Sequence, residues 1–529
     1  MVAPMQSLET IASAPTQPPV FEVIEGGGAG PRSRELLETY FDLRDVAQES
    51  DKIDGEELRA IQESARAWAQ EAGLLDIPEV PEDRYSYYTG FSEKMARAKI
   101  LGFTDFLEQN FGDKVSPVEL AATRAFVEAA FANYKDQPAI GVAADADGSY
   151  AFVVPARMGR NHQDYGREVE PTIPAFRYLP NEVRAQMMVG LPPFVIDTYR
   201  ANEHGRRGYL VLAPVFEDMK EDLGSSISSL SKAANHNVNA AVDFARRRFG
   251  VEVIGLGATL PALTNYGKNI TNPEVVTTTG HAGTSDLIRK IVKSTLDKTL
   301  PAEQVEAGPE SIGVLGLGTI GEAIARIIST EYPAAKINIY DSTLARIART
   351  QARGPNFLPG ADERSVIMGS DITISAIAGV SSRLNLRELG ITDLEGRVIV
   401  DDSQPGSVDP VEAEQLGGAV VWAIGSDAQG KVVRRGYDYA TMVDSHADLF
   451  GCEAEAASLA LYRQELRDRG MSEWFVDRVT RKVALRDRVT EQNVRYISAL
   501  FKKYGIVPSS PQAFGRHVIL PRHQAAATT

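Results

Sequence analysis

A doubly wound α/β fold is what this sequence predicts, with a second α/β unit before it, a helical extension at the N-terminus and further helices at the C-terminus. Three observations carry that expectation. Apolar strand-like runs alternate with helical periodicity through the middle of the chain. One run, residues 311–341, reads strand, glycine turn, helix, strand and terminal acid without a break. On either side, segments repeat apolar residues at intervals of three and four, the period of a half-buried helix.

Composition sets the bounds. With 529 residues, 57.5 kDa, 43% hydrophobic and 24% charged, the chain has the make-up of an ordinary globular protein of about three to four domains. No run of about 18 uninterrupted apolar residues occurs, and MVAPMQSLETIASAPTQPP at the start lacks the basic-then-apolar order of a secretory signal. A cytoplasmic protein without stable membrane insertion is therefore expected. Cys452 is the single cysteine, which excludes an internal disulfide and agrees with a reducing compartment. A net charge of -15 argues against nucleic acid and anionic membranes as partners and repels an acidic carrier protein at long range. Basic clusters at Arg206 and Arg207, at Arg246, Arg247 and Arg248, and at Arg434 and Arg435 read first as solvated faces and otherwise as seats for a phosphate.

Residues 1–31, rich in Pro, Gly, Ser and Thr, are expected to be a tail, because they bury too little apolar surface to order themselves. Residues 32–138 read as helical: GEELRAIQESARAWAQEAGL and SPVELAATRAFVEAAFANY are amphipathic, and Ser116 before Pro117 supplies a cap and a first-turn proline. An α/β unit is assigned to 139–295. It opens with AIGVAADADGSYAFVVPA, where two apolar runs around Asp147 and Gly148 predict a hairpin. PPFVIDTY and GYLVLAPVF then flank a turn-like stretch, and a helix over 226–248 leads into the strand VEVIGLGA. The doubly wound unit takes 296–430, a helical region with the cysteine 431–507, and a second tail 508–529.

Within SIGVLGLGTIGEAIARIISTEYPAAKINIYD each glycine has a separate task. Gly316 permits the tight turn, Gly318 lets backbone N–H groups approach a pyrophosphate, and Gly321 lets the helix pack on the strand. Thr319 and Ile320 open the helix, whose N-terminus favours the phosphates. Asp341, twenty residues after Gly321, is suited to the adenosine ribose with Ser342 beside it, so a Rossmann dinucleotide site that favours NADH is expected. Arg346 and Arg349 lie nearby and oppose that preference. Downstream, SDITISAIAG and GRVIVDDSQPG read as further strands, with Ala376, Ile377, Ser403 and Pro405 at their C-terminal ends as neighbours of the nicotinamide.

GYLVLAPVFEDM, GLGATLPALTNYG with VTTTGHAGT, and LFGCEAEAASLAL follow one another in an order and at separations that resemble the long-chain fatty acyl-[acyl-carrier-protein] reductases of the cyanobacterial type, over about residues 174–507. The resemblance implies a cysteine nucleophile at Cys452, an acyl donor carried on acyl carrier protein or coenzyme A, an α/β substrate domain over 139–295, and NADPH as a second cofactor choice. It also places Gly257, Thr259, Thr279 and Gly280 beside the substrate, in segments 255–259 and 277–284. His281 stands where the family has Asn, and GLGTIG followed by an acid replaces the family's more usual GATGDIG followed by a basic residue.

A thiolate exchanges readily into a thioester, and the resulting acyl-enzyme presents its carbonyl for hydride transfer and release as aldehyde. A cap from Ser445 or Asp448 would put Cys452 in the first turns of a helix, where the dipole favours a thiolate while Glu453 and Glu455 oppose it. His446 and His281 are the candidate acid–base groups. Two other readings stay open: a dehydrogenase of a small keto acid, amino acid or alcohol in which Cys452 is inert, and a non-catalytic NADH-binding sensor or scaffold. No HExxH or paired CxxC occurs, so no metal is expected. Homo-oligomerisation is compatible with the sequence but not specified by it.

Overall fold

Two six-stranded sheets organise the chain. The computed structural model describes residues 31–47, 53–73, 91–135, 150–156, 158–160, 169–188, 190–200, 207–216, 228–301, 305, 308–377, 384–403, 406–428, 433–435, 447–484, 488–513 and 515–521. At the centre of the first sheet lies β1 (Tyr150–Ala156), every residue of it buried. β2 (Met158–Arg160) and β3 (Val169–Pro171) form a small antiparallel pair apart from it. β4 (Phe194–Arg200) and β5 (Arg207–Phe216) pair antiparallel, whereas β1 runs parallel to both β5 and β6 (Val253–Leu256), and β6 to β7 (Val276–Thr278).

One expectation is corrected here. Val153 faces Val211 on one side and Leu256 on the other, so parallel neighbours occupy both edges of β1 and leave no room for the hairpin expected around Asp147 and Gly148. Those two residues lie outside the described ones. A strand buried on both faces reads as an unbroken apolar run, and two such runs around Asp-Gly imitate a hairpin. The antiparallel pair belongs instead to PPFVIDTY and GYLVLAPVF.

Helices Pro31–Ala47, Gly55–Glu71, Phe91–Phe111 and Pro117–Lys135 form the extension, and proline opens the last of them as the sequence indicates. They share the core of the first sheet. The Tyr40 hydroxyl donates to Thr172 O at 2.7 Å, Phe126 meets Phe194 edge-on at 5.2 Å, and Arg248 donates to Asn133 O at 2.8 Å. Such aromatic pairs add about 0.5–1.5 kcal/mol each beyond area burial. Of the basic triplet, then, Arg248 is a buried strut and Arg246 is tied to Glu274 at 3.1 Å.

The second sheet joins β8 (Ser311–Leu315), β9 (Lys336–Tyr340), β10 (Phe357–Pro359), β11 (Ile372–Ser375), β12 (Val398–Asp401) and β13 (Ala419–Trp422) in the order β10-β9-β8-β11-β12-β13, all parallel. That is the doubly wound arrangement the sequence predicts. Successive strands are laid down to one side of β8 and then, from β11, to the other, which opens a crevice at the C-terminal ends of β8 and β11.

Beyond β14 (Ile424–Asp427) the chain returns to the first sheet, where Val433–Arg435 pairs with β4. β14 itself is flanked antiparallel by Asp448–Phe450 and Ile506–Pro508. Helices Gly451–Asp468, Glu473–Val483 and Glu491–Tyr504 complete the C-terminal region. The stretch from 508 read as a tail is corrected over 508–521: Gln512 and Ala513 are buried, and they pair with His517 and Arg516. Its apolar content is too sparse to announce that packing in sequence. Among the described residues no helix is long and apolar enough to cross a membrane.

Candidate active site

Each glycine of the nucleotide turn has a distinct physical reason to be glycine. Gly316 has φ +80°, and a side chain there would stand 2.7 Å from Ala376 O. One at Gly321 would collide with Gly316 O, so the helix Thr319–Glu331 sits against the turn at backbone distance. Gly318 faces open space, where a pyrophosphate would lie. Thr319 and Ile320, partly exposed, begin the helix with no side-chain cap on it.

Asp341 is buried and already engaged. Its carboxylate accepts from Leu317 N and Thr343 N, both at 2.7 Å, and from Arg346 Nη1 at 3.2 Å. Burial alone would raise its pKa, but these donors outweigh it and hold the carboxyl below the usual range. The acid expected to receive the ribose thus locks the glycine turn, while Ser342 is exposed beside it. A pocket of about 290 Å³ at the turn is lined by Gly318, Thr319, Arg326, Arg346, Arg349 and Arg353 among others. Glu322 neutralises part of it through Arg349 at 2.7 Å and Arg353 at 2.8 Å.

At the nicotinamide end Ala376 packs on Gly316, and Ser403 Oγ donates to Ile377 O at 2.7 Å. Asp401 fixes the loop after β12, accepting from Ser403 N at 2.9 Å, Ser407 N at 2.7 Å and Val408 N at 3.2 Å. The Trp422 indole N–H donates to Ser403 O at 3.1 Å, and its ring meets Phe450 edge-on at 5.5 Å. Pro405 lies outside the described residues.

Phe450 thereby leads to Cys452, the second residue of the helix Gly451–Asp468. That helix meets His281–Thr299 head to head. Gly280, φ +71°, is the N-cap of the latter, and any side chain on it would overlap Cys452. A side chain on Gly283 would overlap Gly451 O. Glu455, one turn after Cys452, seals the crossing by accepting from Gly283 N at 2.7 Å and from the Thr278 hydroxyl.

Helix capping at Cys452 differs from expectation. Phe450 is the N-cap and offers no side-chain bond, whereas Asp448 lies in a strand and accepts from Gln512 Nε2 at 2.7 Å. Asp448 is two residues too early to cap, because Asp448–Phe450 is held extended by pairing with β14. Ser445 and His446 lie outside the described residues. Burial is the largest influence on Cys452 and raises the thiol well above its ordinary pKa; Glu453 and Asp402 add to the rise, against the N–H groups of the helix start. The thiolate expected from the helix dipole is therefore not the resting form. The second opposing acid is Asp402, from the nucleotide sheet, while Glu455 is spent on the neighbouring helix.

On either side of Gly280, which abuts the cysteine, two buried polar atoms stand without partners, Thr279 Oγ1 and His281 Nδ1, and Thr259 Oγ1 is likewise unpartnered beyond the end of β6. Buried polar atoms are nearly always hydrogen-bonded, so the unpartnered pair flanking Gly280 is suited to receive a polar ligand. Burial lowers the His281 pKa to about 4, which leaves the imidazole neutral. Gly257 plays a different part, packing the end of β6 against Phe152 at a closeness of 2.7 Å for any added side chain.

Sequence reasoning passed over Tyr266. Ala258, Asn265 and Tyr266 are the non-glycine residues with positive φ among the described ones, all between β6 and β7. Strain of this kind collects at functional sites. Tyr266 joins the two halves, its hydroxyl accepting from Thr319 Oγ1 at 3.1 Å and its ring edge-on to His281 at 6.1 Å. Nothing in GLGATLPALTNYG announces that role; only Asn265 is a residue type at ease with positive φ. Among the described residues no group of three His, Cys, Asp or Glu is placed to hold a metal.

No protein-family model matches the chain, and neither does any curated protein. Solved structures similar to parts of it include L-tryptophan dehydrogenase from Nostoc punctiforme, at 12% identity over 68% of this chain and 90% of that one with a TM-score of 0.30. The nucleotide-binding domain of glutamyl-tRNA reductase from Thermoplasma volcanium matches at 18% over 26% and 84%, TM-score 0.19. Dipicolinate synthase A chain from Bacillus subtilis matches at 21% over 34% of this chain, which spans 59% of that one, TM-score 0.25. Likenesses this distant assign neither an activity nor a substrate to the chain.

Proposed function

We propose that the chain is a nicotinamide-dependent oxidoreductase that reduces a long-chain fatty acyl thioester to its aldehyde through an acyl-enzyme on Cys452, with acyl carrier protein or coenzyme A as the thiol carrier. The observation that carries this reading is the position of Cys452: partly exposed at a helix start and packed on Gly280, which is flanked by the unpartnered Thr279 Oγ1 and His281 Nδ1. In the first half-reaction the Cys452 sulfur bonds to the acyl carbon, the carbon–sulfur bond of the donor breaks, and the thiol proton leaves with the carrier thiol. Thr259 and Thr279 are suited to donate to the acyl oxygen as charge builds on it.

The glycine turn, with Gly316, Gly318 and Gly321, fits a dinucleotide, which when bound supplies the hydride. Ala376, Ile377 and Ser403 form the wall on which the ring would rest. For the cofactor's identity the arginines weigh more than the acid. A carboxylate has about four lone-pair sites, and Asp341 spends three on Leu317, Thr343 and Arg346. Arg346, its side chain 45% exposed, remains open to a 2′-phosphate. NADPH is accordingly the favoured cofactor, in place of the NADH read from sequence.

Intact-protein mass spectrometry tests the reading. Wild type mixed with a long-chain acyl-CoA or acyl carrier protein, without cofactor, should gain one acyl mass that Cys452→Ser does not. If wild type stays unmodified with both carriers across several chain lengths, the thioester reading fails and a dehydrogenase with an inert cysteine takes its place.

A further inference from the structure

Five arginines line the cavity at the glycine turn: Arg326, Arg346, Arg349, Arg353 and Arg488. They come from separate pieces of chain. Arg326 lies on the helix Thr319–Glu331, Arg346 and Arg349 on the helix Leu344–Gln351 with Arg353 just beyond it, and Arg488 in the link before the helix Glu491–Tyr504. Glu322 lines the cavity too and holds Arg349 and Arg353, while Asp341 holds Arg346. Among the described residues, five guanidinium groups against those two carboxylates leave three positive charges in excess. Arg326 is the most informative of the five. Its Nη2 donates to Val489 O at 2.9 Å, which ties the nucleotide helix to the C-terminal region, yet its Nε is buried without a hydrogen-bond partner. A buried charged donor left unpaired is costly, and an anionic ligand in the cavity relieves that cost.

A pyrophosphate at Gly318 answers part of this charge, and a ribose phosphomonoester, worth about -1.5 to -2 at neutral pH, answers the rest. Two molecules in the reading above carry both groups: NADPH, with its monoester on the 2′-oxygen, and coenzyme A, with its monoester on the 3′-oxygen. A carrier protein presents neither a ribose monoester nor a pyrophosphate, and an acidic one is repelled by the net charge of -15. The cavity also adjoins the cysteine junction. Tyr266 lines it and meets the His281 ring edge-on at 6.1 Å; His281 follows Gly280, and Gly280 lies directly against Cys452. One phenol and one imidazole thus stand between the arginines and the Gly280–Cys452 contact.

Resting on the acyl-enzyme reading above, we propose that the arginine cavity selects coenzyme A as the acyl carrier, receiving its phosphates in the same seat that it offers to the phosphates of NADPH. An acyl-enzyme makes a shared seat workable, because the carrier thiol has left before the cofactor is needed. Arg326 and Arg346 then serve both nucleotides in turn, and the two nucleotides exclude each other.

Binding is measured first, by titration calorimetry on the full chain without an acyl donor. Coenzyme A should bind, saturating NADPH should abolish that binding, and 3′-dephospho-coenzyme A should bind about tenfold more weakly or worse, the scale of one lost charge-assisted contact. Arg326→Gln should weaken coenzyme A and NADPH in parallel, about tenfold each. Arg346→Ala, at a side chain 45% exposed, should do the same and leaves the Val489 brace in place. Acylation of Cys452 is then timed by intact mass with one long-chain acyl group carried on coenzyme A, on pantetheine and on acyl carrier protein. Wild type should acylate fastest from acyl-CoA, and its advantage over acyl-pantetheine should shrink toward unity in Arg346→Ala. Coenzyme A and NADPH bound together, arginine variants that weaken NADPH alone, or faster acylation from the carrier protein than from acyl-CoA would each overturn the proposal. If none of the three donors acylates Cys452, the acyl-enzyme reading itself has failed and the choice of carrier falls with it.

Discussion

The nucleotide turn and the cysteine junction are both built from backbone packed on backbone, but they are assembled from the sequence in different ways. Gly316, Gly318 and Gly321 lie within six residues; Gly316 and Gly321 pack on each other and on Ala376, while Gly318 faces open space. The junction brings Gly280 and Gly283 against Gly451 and Cys452, more than 150 residues away. A local turn binds a cofactor by itself. A junction of distant segments can place a nucleophile beside unpartnered polar groups such as Thr279 and His281, and it loses them together when the crossing is disturbed.

The largest expected effect separates the two regions outright. Cys452→Ala should abolish acyl-enzyme and reduce aldehyde formation by about 1000-fold or more while leaving NADPH affinity intact, as measured by fluorescence titration. Retained aldehyde formation would make the cysteine a packing residue.

Next come the glycines. Gly280→Ala adds a side chain where Cys452 sits and at positive φ, and should cost about 2–4 kcal/mol in denaturant unfolding. Gly321→Ala should instead abolish cofactor binding, because its new carbon would collide with the Gly316 carbonyl of the turn itself. Equal damage to both functions from either substitution would erase the contrast between local turn and distant junction.

Glu455 gives a pH signature of the crossing. Burial raises its pKa to about 7 despite donors at Thr278, Gly283 and Ala282. A folded pKa above the unfolded value means that the folded state holds the proton more tightly. The contribution is fully present below the unfolded pKa of about 4.5 and is lost as pH rises through about 7. Thermal unfolding of wild type should therefore lose up to about 3 kcal/mol across that window relative to Glu455→Gln, which removes the titration. Parallel pH curves for the two proteins would contradict it.

The smallest effect concerns cofactor choice. Arg346→Ala should raise the KM for NADPH about tenfold and leave that for NADH nearly unchanged, one charge-assisted hydrogen bond being worth about 1.5–3 kcal/mol. An equal rise for both would return the preference to Asp341.

The same contrast explains what the sequence disclosed. Strand, turn, helix and acid at 311–341 form a continuous sentence whose meaning is set by nearest neighbours, so the doubly wound sheet and the glycine roles were legible. Asp341 was legible as a residue but not as a spent one, because Leu317 N and Arg346 reach it only in three dimensions. Cys452 and the 277–284 segment were legible through family resemblance alone. Tyr266 lay inside a quoted motif and was passed over, because it needs the fold to bring Thr319 and His281 to it. The hairpin at Asp147 failed for a related reason, since strand order in a parallel sheet is a long-range property.

The most direct test of the account is hydride transfer to a preformed acyl-enzyme. Cys452 would be acylated with long-chain acyl-CoA, freed of excess donor, and mixed with NADPH deuterated at C4 of the nicotinamide. The account predicts loss of the acyl mass from Cys452 together with a fatty aldehyde carrying one deuterium, for one of the two C4 stereoisomers. An acyl group that stays on the protein, or leaves as unlabelled fatty acid, would contradict it.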